Sequence, residues 1–233
     1  MAGKILFILP VYNEQDCVGK NSLLLCDFLE EKIQGDWTIR IVDNASTDNT
    51  LKMAQDASRE CKKITVLHLD EKGKGRAIKN AMKDLSYDVY AFLDIDMSTD
   101  MNHIPELLRW IDEGYDVVIG SRLLPGSNTK RSFRREILSR GYNILTRLLL
   151  GLPVRDTHCG FKALTRSVVE DVVPKVEDNE FFFDTELLAR ANKTGYKIKE
   201  MPVSWIEDAD SKVNVKRTVI NYLKNLVKLR RSM

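Results

Sequence analysis

Two carboxylates one residue apart, Asp94 and Asp96, follow a short apolar run in the middle of the chain. The run begins at Val89 and is predicted to be a buried strand, in which residues i and i+2 point to the same face. If the extended backbone continues to Asp96, both carboxylates face one crevice. Mg²⁺ and Mn²⁺ are typically held by one or two carboxylates, with substrate phosphate and water completing the shell. The pair is therefore a candidate metal site; the alternative is a strand that ends in a solvated acidic turn.

Polar residues also follow two earlier predicted strands. Tyr12-Asn13-Glu14 come after the strand Lys4–Val11, and Asp43 comes after the strand Thr38–Val42. In open α/β sheets, ligands bind in the crevice outside the carboxyl ends of the strands. Three strand ends therefore deliver polar side chains to one edge of the predicted sheet. This convergence favours a metal and nucleotide site over a solvated acidic turn.

Strands and helices alternate over the first 120 residues, which predicts an α/β fold with a mostly parallel, doubly wound sheet. Apolar runs predict strands at Lys4–Val11, Thr38–Val42, Ile64–Leu69, Val89–Asp94, Val117–Ile119 and Ile198–Trp205. Helical spacing predicts helices at Val18–Ile33, Asp48–Cys61, Ile104–Glu113, Arg166–Val173, Asp184–Thr194 and Val215–Arg231. Two further helices are predicted to end at Leu85 and at Leu150. The stretch 125–129 is predicted to be a loop.

Several polar residues have a purely structural explanation. Ser46 or Thr47 is predicted to cap the second helix, and Asp184 and Glu186 fit as acidic residues in the first turn of theirs. The run Lys72-Gly73-Lys74-Gly75 precedes a helix but matches neither a P-loop nor a dinucleotide fingerprint. It remains open as a phosphate cradle or as a flexible turn.

The composition indicates a soluble globular protein. The chain has 233 residues, of which 43% are hydrophobic and 30% charged, enough for one large domain or two small ones. No apolar run approaches the roughly 20 residues that span a bilayer, and the first residues read as a strand rather than an export signal. The four cysteines are widely spaced without a Cys-x-x-Cys pair. We therefore expect a reducing cytosolic setting, with neither a zinc site nor a disulfide framework.

The net charge of +2 hides a strong asymmetry. Residues 122–155 contain eight basic residues and one acidic residue, and residues 212–233 contain seven basic residues and none acidic, so the remainder carries −12. Both basic segments include an amphipathic helix. Such helices can lie at a membrane surface with the apolar face in the headgroup boundary. The alternative is a pair of helices packed on the domain with solvated basic faces.

Taken together, these motifs resemble the family-two inverting glycosyltransferases of the GT-A fold, and within them the polyprenyl-phosphate (dolichyl-phosphate) mannose and glucose synthases. The motifs are Pro10-Val11-Tyr12-Asn13-Glu14, Val42-Asp43-Asn44-Ala45-Ser46-Thr47-Asp48, Lys72-Gly73-Lys74-Gly75, Asp94-Ile95-Asp96, Gly120-Ser121-Arg122, Asp156-Thr157-His158-Cys159-Gly160-Phe161-Lys162, Trp205 and Ser211-Lys212. Two positions depart from the pattern: Asn44 stands where many relatives have a second Asp, and Met97 where a polar residue is common. A further expected departure is the lack of the membrane-spanning tail of some relatives.

The resemblance assigns roles to individual residues. It implies a nucleotide-sugar site formed by Pro10, Tyr12, Glu14, Asp43, Lys74, Asp94 and Asp96. In that site Asp94 and Asp96 would hold Mg²⁺ or Mn²⁺ on the diphosphate. The acceptor phosphate would be taken by Arg122 with a basic residue among Arg131, Arg134 and Arg135. The candidate catalytic residues are Asp96, Arg122 and Asp156.

The implied activity is metal-dependent transfer of a hexose, with inversion, from UDP-glucose or GDP-mannose to a polyprenyl or dolichyl phosphate. Trp205 with Ser211-Lys212 and the basic helix that follows favour UDP-glucose. Residues 1–212 would form the catalytic domain, with a nucleotide-sugar half (1–122) and an acceptor half (123–212), and residues 213–233 a basic helix. The enzyme would lie peripherally on the cytosolic face of a membrane and bind no nucleic acid. The alternatives are a glycosyltransferase with a soluble or other non-lipid acceptor, and a non-catalytic membrane- or nucleic-acid-binding protein.

Overall fold

The computed structural model describes residues 3–130, 133–206 and 215–232, and these form an α/β fold. Its strands are β1 (Ile5–Val11), β2 (Trp37–Asn44), β3 (Ile64–Leu69), β4 (Val89–Leu93), β5 (Val117–Ser121), β6 (Asn128–Lys130), β7 (Phe161–Thr165), β8 (Ile198–Pro202) and β9 (Ser204–Ile206). Its helices are α1 (Val18–Lys32), α2 (Thr50–Glu60), α3 (Lys74–Ala81), α4 (Ile104–Asp112), α5 (Phe133–Leu150), α6 (Arg166–Asp171), α7 (Phe183–Thr194) and α8 (Val215–Ser232). Short 3₁₀ turns lie at Met101–His103 and Val173–Lys175.

The main sheet has seven strands in the order β3-β2-β1-β4-β7-β5-β8. Within it β7 runs antiparallel to its neighbours β4 and β5, while the other pairs are parallel. The short strands β6 and β9 pair in a separate parallel ribbon. The predicted mostly parallel sheet flanked by helices is therefore confirmed.

Helices cover both faces of the sheet, which explains why the central strands are apolar throughout. One hydrophobic cluster packs α1, α2 and α4 against one face, through residues such as Leu25 and Leu107. A second cluster packs α3, α6, α7 and α8 against the other face, through residues such as Ile78 and Leu226. A fully buried leucine contributes about 1.5–3 kcal/mol relative to an exposed one, so these two layers supply most of the driving force that fixes the sheet.

Most predicted elements are present with shifted ends. The strand Ile64–Leu69 has the predicted bounds, whereas β4 ends at Leu93, one residue early, and α3 ends at Ala81 rather than Leu85. The predicted cap of α2 was wrong. Asp48 accepts a hydrogen bond from the backbone N–H of Thr50 at 2.9 Å. The hydroxyl of Ser46 instead accepts from Asn13.

Three short strands were missed or merged. The predicted loop 125–129 contributes to β6, and the predicted strand Ile198–Trp205 is divided at Val203 into β8 and β9. β7 was not predicted, although it lies in the centre of the sheet between β4 and β5. The chain after residue 122 therefore completes the same sheet that the first half begins.

The cysteines depart from the prediction in one respect. Cys26 of α1 and Cys61, the residue after α2, are joined by a disulfide bond. Cys17 and Cys159 take part in no disulfide bond within the described residues. The expectation of no disulfide is thus wrong for this pair, which ties together two helices on the same face of the sheet. Spacing in sequence did not reveal it, because the two cysteines are 35 positions apart, with a strand and a helix between them.

The helices α5 and α8 pack against each other and leave apolar side chains exposed. The side chains exposed on them include Ile144, Leu148, Leu223 and Val227, while Leu226 and Leu229 of α8 are buried in the core. None of the helices in the described ranges combines the length and apolar character that a membrane crossing requires.

Candidate active site

Three neighbouring parallel strands end at one edge of the sheet, and the backbone is strained directly beyond each of them. Asn13, Ala45 and Met97 follow β1, β2 and β4 and have φ angles of 55°, 59° and 53°. These are the positive-φ residues other than glycine within the described part of the chain. Side-chain-bearing residues adopt this conformation at a cost, and such strain clusters at functional sites. The strained edge coincides with the edge at which the sequence placed the ligand site.

Asp94 and Asp96 lie on a turn rather than on a continuing strand. The backbone N–H of Asp94 donates to the carbonyl of Gly160 at 3.1 Å, and the N–H of Met97 donates to the carbonyl of Asp94 at 3.3 Å. Asp94 is half-buried, Ile95 is buried and Asp96 is exposed. The condition for placing both carboxylates on one strand face is therefore not met. Both acids still lie at the carboxyl end of β4.

Asp94 is held by a buried lysine. The Lys74 ammonium nitrogen donates to Asp94 Oδ1 at 2.7 Å, and the lysine side chain is only 15% exposed. Burial opposes the charge of Lys74, but the attraction of Asp94 and Asp184 outweighs it, and the pKa of the ammonium is raised above its usual value. Lys74 therefore stays protonated beside the Asp94 carboxylate.

The donor set fits a divalent cation that is shared with a substrate. No group of three His, Cys, Asp or Glu residues that could hold a metal is found among the described residues. Mg²⁺ is commonly bound by one or two carboxylates, with phosphate oxygens and water supplying the other ligands. Lys74 donates to Oδ1 of Asp94, so a cation at this carboxylate would be bound beside the ammonium and would need the charge of a diphosphate to balance both. Asp94 and Asp96 therefore suit a metal bound together with a diphosphate.

The residues predicted around a nucleotide lie beside this turn. The Lys72 ammonium lies 4.1 Å from the centre of the Tyr12 ring, a cation–π contact. The backbone N–H of Glu14 donates to the hydroxyl of Thr50 at 2.7 Å, which fixes the loop after β1 to the start of α2. Pro10 is partly exposed at the end of β1. These contacts bring the β1 and β2 loops together as one wall of the site.

Asp43 is fully buried and has an unexpected partner. Its Oδ2 lies 2.6 Å from Nδ1 of His68, the residue opposite it on β3. Its Oδ1 is buried and has no hydrogen-bond partner in the described structure, and the same holds for Oδ1 of Asn44. Buried acceptors without a donor are costly, so these oxygens are suited to a ligand N–H. His68 was not predicted, although its position at the end of β3 was a usable signal.

On the other side of the site, Arg122 and Asp156 form a two-pronged ion pair. Arg122 Nε lies 2.7 Å from Asp156 Oδ2, and Nη2 lies 2.9 Å from Oδ1. The pKa of Asp156 is lowered because the attraction of Arg122 outweighs the effect of burial. A carboxylate held in this way is a weak base. Asp156 therefore acts as the partner that orients Arg122, whose Nη1 is not used by this pair.

The remaining predicted acceptor residues have no described side chain. Arg131 lies outside the described residues, and the same is true of the side chains of Arg134 and Arg135. Their assignment to the acceptor phosphate stays a prediction.

Asp184 and Glu186 lie in the first turn of α7, as predicted, and Asp184 also belongs to a second buried ion pair. Asp184 pairs with Lys162 of β7, and Lys162 also donates to the carbonyl of Cys159 at 2.7 Å. Glu186 likewise accepts from the backbone N–H groups of residues 177 and 178 and from Arg190. The first-turn explanation is thus incomplete, because both acids have specific partners.

The glycine-rich run before α3 is closed against the protein. The N–H groups of Gly75 and Arg76 donate to the carbonyls of Glu180 and Asn179 at 3.2 and 2.9 Å. A Cβ on Gly75 would meet the side chain of Phe183 at 2.6 Å. These donors are therefore not free for a phosphate, and the run is neither an open cradle nor a loose turn. It positions Lys74 at Asp94.

The chain is similar to known proteins over most of its length. Residues 6–173 match the family model "Glycosyl transferase family 2". The chain is 34% identical over 220 residues to "Glycosyltransferase AglD" of Haloferax volcanii, covering 93% of this chain and 35% of that protein. It is 32% identical over 239 residues to "Dolichyl-phosphate beta-glucosyltransferase" of Dictyostelium discoideum, covering 96% of this chain and 72% of the relative. This chain thus spans about a third of the first relative and nearly three quarters of the second.

The fold is shared with a solved glycosyltransferase. Glucosyl-3-phosphoglycerate synthase from Mycobacterium tuberculosis, in complex with Mn²⁺, uridine diphosphate and phosphoglyceric acid, superposes with a TM-score of 0.73 at 17% identity. The match covers 98% of this chain and 78% of that one. At this level of identity the similarity establishes the architecture, which is the GT-A type predicted from the motifs.

Proposed function

This chain belongs to glycosyl transferase family 2, and from that premise we propose that it transfers a hexose, with inversion, from a nucleotide sugar to a polyprenyl or dolichyl phosphate. Members of this family are nucleotide-sugar glycosyltransferases, so the chain is an enzyme. The alternative of a non-catalytic binding protein is therefore set aside. The observation that carries the proposal is the pair that Asp94 forms with Lys74 at the end of β4, in which the ammonium nitrogen lies 2.7 Å from Asp94 Oδ1. The dolichyl-phosphate relative supports a lipid acceptor.

The donor side is formed by residues 1–122. Tyr12, Glu14 and Asp43 lie around the strained strand ends, and the unpartnered Oδ1 of Asp43 is suited to a nucleobase N–H. UDP-glucose is the preferred donor over GDP-mannose, supported by the glucosyltransferase relative and by the uridine diphosphate in the solved neighbour. A divalent cation bound at Asp94 and Asp96, Mg²⁺ or Mn²⁺, would supply Lewis-acid stabilisation to the diphosphate leaving group. Lys74 adds a fixed positive charge at the same place.

The acceptor side is formed by residues 123–212 together with Arg122. An oxygen of the acceptor phosphate attacks the anomeric carbon from the face opposite the diphosphate, the bond from that carbon to the diphosphate oxygen breaks, and its electron pair leaves with the nucleoside diphosphate. The acceptor is already anionic at neutral pH, so no general base is required. Arg122 binds the phosphate through the edge that Asp156 leaves open, assisted by a basic residue among Arg131, Arg134 and Arg135.

The acceptor places the enzyme at a membrane surface, and we assign it to the cytosolic face. The exposed apolar residues Ile144 and Leu148 of α5 and Leu223 and Val227 of α8 lie on helices from the two basic segments. Apolar side chains flanked by basic ones suit an anionic headgroup region. In this arrangement α8, within residues 213–233, forms part of the contact with the bilayer.

A soluble phosphorylated acceptor is the second candidate. It is favoured by the phosphoglyceric acid bound in the solved neighbour, a small phosphate ester that needs no bilayer. Both candidates share the donor site and differ only in what lies beside Arg122. A single assay with both acceptor types therefore separates them.

The test is transfer from UDP-glucose and from GDP-mannose, with Mn²⁺ or Mg²⁺, to a short-chain polyprenyl phosphate and, in parallel, to phosphoglyceric acid. We expect metal-dependent product with the polyprenyl phosphate and loss of turnover by at least about 100-fold in Asp96→Ala, because a donor ligand to the metal is removed. Asp27→Ala, an exposed acid on α1, is the charge-matched control and should behave as wild type.

Two results would contradict the proposal. Full turnover by Asp96→Ala with metal supplied would remove the metal assignment. Product with phosphoglyceric acid and none with the polyprenyl phosphate would reassign the acceptor to the second candidate. Circular dichroism and thermal unfolding of Asp96→Ala should match wild type, since the side chain is exposed.

A further inference from the structure

The segment Asp156–Gly160 connects the two sides of the site. Asp156 holds the Arg122 guanidinium, and the backbone N–H of His158 donates to Asp156 Oδ1 at 3.2 Å. Four residues later the carbonyl of Gly160 accepts from the backbone N–H of Asp94 at 3.1 Å. The position of this segment therefore sets where Arg122 lies relative to Asp94.

α5 holds this segment from one side through Asn143. Asn143 is almost fully buried, and its Oδ1 accepts from both the backbone N–H and the hydroxyl of Thr157, each at 3.0 Å. Tyr142, the preceding residue, lies edge-on to the His158 ring at 4.7 Å between ring centres. The inner face of α5 thus contacts the residues that directly follow Asp156.

α8 holds the segment from the other side through one aromatic ring. Tyr222 stacks on the imidazole of His158, with ring centres 5.0 Å apart and an angle of 24° between the planes. Tyr222 also contacts Tyr142 and Phe182, at 5.2 and 6.0 Å between ring centres. His158 is therefore enclosed by aromatic rings, and its two nitrogens face the hydroxyls of Thr157 and Thr185 at 3.0 and 3.4 Å.

α8 is itself fixed to the protein, so its ring is a firm support. Leu226 and Leu229 are buried in the core, and the amide of Asn225 donates to Asp178 Oδ2 at 3.1 Å. Asp178 in turn accepts from the N–H groups of Glu180 and Phe183 at the start of α7. Tyr222 therefore presents its ring to His158 from an anchored helix.

We propose that Tyr222 is a positioning residue for sugar transfer: its ring holds the imidazole of His158, and through it the Asp156 carboxylate that orients Arg122 toward the acceptor phosphate. The proposal rests on the proposed function, because it concerns the acceptor side of that reaction. Tyr222 itself lies behind His158 and acts only through it. A mutation far from the reacting atoms that displaces a group of the site by about 1 Å can lower the rate about 100-fold.

The test compares Tyr222→Leu and Tyr222→Phe with wild type, using a water-soluble short-chain polyprenyl phosphate so that no bilayer is needed. We expect Tyr222→Leu to lower kcat/KM for the acceptor by about 10- to 100-fold. Tyr222→Phe keeps the stacked ring and should retain activity within about 3-fold of wild type. Lys224→Ala, two residues along α8 and exposed, is the matched control and should be unchanged.

Donor binding separates positioning from general damage. The affinity for UDP, measured by calorimetry without added metal, should change less than about 3-fold in Tyr222→Leu, because the β1 and β2 loops lie away from this contact. In a His158→Leu background, Tyr222→Leu should have little further effect on kcat/KM, since its partner is already absent. If Tyr222→Leu does not fold, Tyr222→Met, a flexible apolar filler, repeats the comparison.

The outcomes distinguish this inference from the function on which it rests. Transfer by Tyr222→Leu with acceptor kcat/KM within 2-fold of wild type would overturn the inference and leave the proposed function intact. Equal loss of UDP affinity and acceptor kcat/KM would also overturn it, because the residue would then act on the whole fold. Absence of transfer by the wild-type enzyme with every acceptor would overturn the proposed function itself.

Discussion

At the level of single residues, the close approach of Gly160 to Asp94 sets the geometry at the end of β4. A Cβ added to Gly160 would overlap the Asp94 carboxylate, far inside van der Waals contact. The same glycine accepts the Asp94 backbone N–H through its carbonyl. Only a residue without a side chain permits both contacts, so the proposed metal ligand depends on the glycine that directly precedes β7.

We therefore predict that Gly160→Ala displaces the Asp94 carboxylate and lowers metal-dependent turnover by at least about 100-fold, because a ligand moves by more than the tolerance of a preorganised site. The variant should also lose about 1–3 kcal/mol of unfolding free energy through overpacking. Turnover and urea unfolding measure the two effects.

Gly141→Ala in α5 is the control. It has nothing within 4 Å of its new Cβ, so its free energy of unfolding should rise by about 0.5–1 kcal/mol and its activity should be kept. Wild-type turnover in Gly160→Ala would contradict the steric argument.

Residue types and spacing predicted the charged groups of the site but not their partners. Asp94 and Asp43 were found because each follows an apolar run, whereas the role of Arg122 was implied by the family resemblance. Their partners Lys74, His68 and Asp156 come from other parts of the chain, and only the folded structure shows which pairs form. Pairing also bears on the predicted catalytic role of Asp156, since its carboxylate is engaged by Arg122.

At the level of secondary-structure elements, the hydrophobic pattern located β1 to β5 and β8 but missed β7 in the centre of the sheet. Lys162 lies in the middle of β7, where a charge argues against a central strand. The charge is tolerated because Asp184 of α7 pairs with it in the core. A sequence pattern cannot show this compensation, because the two residues are 22 positions apart and meet only across the sheet–helix interface.

His158, which lies between α5 and α8, should make the free energy of unfolding depend on pH. Burial lowers the pKa of His158 to about 4, against the attraction of Asp184 and Asp156. The unfolded chain has the ordinary value near 6.5, so it binds a proton that the folded chain excludes. The contribution of His158 is therefore fully present above about pH 6.5 and is lost as the pH falls from there to about 4.

Urea unfolding at pH 7, 5.5 and 4.5 tests this pH dependence. Wild type should lose on the order of 1–3 kcal/mol of unfolding free energy through His158 over this range, after allowance for its partial exposure. His158→Phe cannot take up the proton and should show a smaller loss. Burial raises the pKa values of Glu200 and Asp178, so these two groups favour the folded state as the pH falls. Their effect is present in both proteins and cancels when the pH dependence of His158→Phe is subtracted from that of wild type. Equal pH slopes for the two proteins would show that His158 is not buried as a neutral ring.

At the level of the whole molecule, positive charge and exposed apolar side chains occur in the same two segments of the chain. The segments 122–155 and 212–233 each carry a net charge of +7, although the chain as a whole carries only +2. The exposed apolar residues Ile144, Leu148, Leu223 and Val227 belong to these segments, and Leu148 is 78% exposed. A packed helix with a merely solvated outer face has no need of such side chains. This asymmetry was visible in the sequence, whereas the inner contacts of α5 and α8 with the site were not.

We predict that these side chains and charges bind anionic membranes together. The double variant Leu148→Ser and Val227→Ser should bind vesicles containing anionic lipid at least about 10-fold more weakly than wild type, since burying each side chain in the headgroup boundary contributes about 1.5–3 kcal/mol. Binding of wild type should weaken on going from 50 to about 300 mM salt, because screening reduces the attraction of the basic segments. Flotation with vesicles measures both effects.

Turnover with a water-soluble acceptor is the control and should be unchanged, because both side chains point away from the core. Unaltered flotation of the double variant would show that these helices pack on the domain with solvated faces, and the acceptor would then have to reach Arg122 without support from this surface.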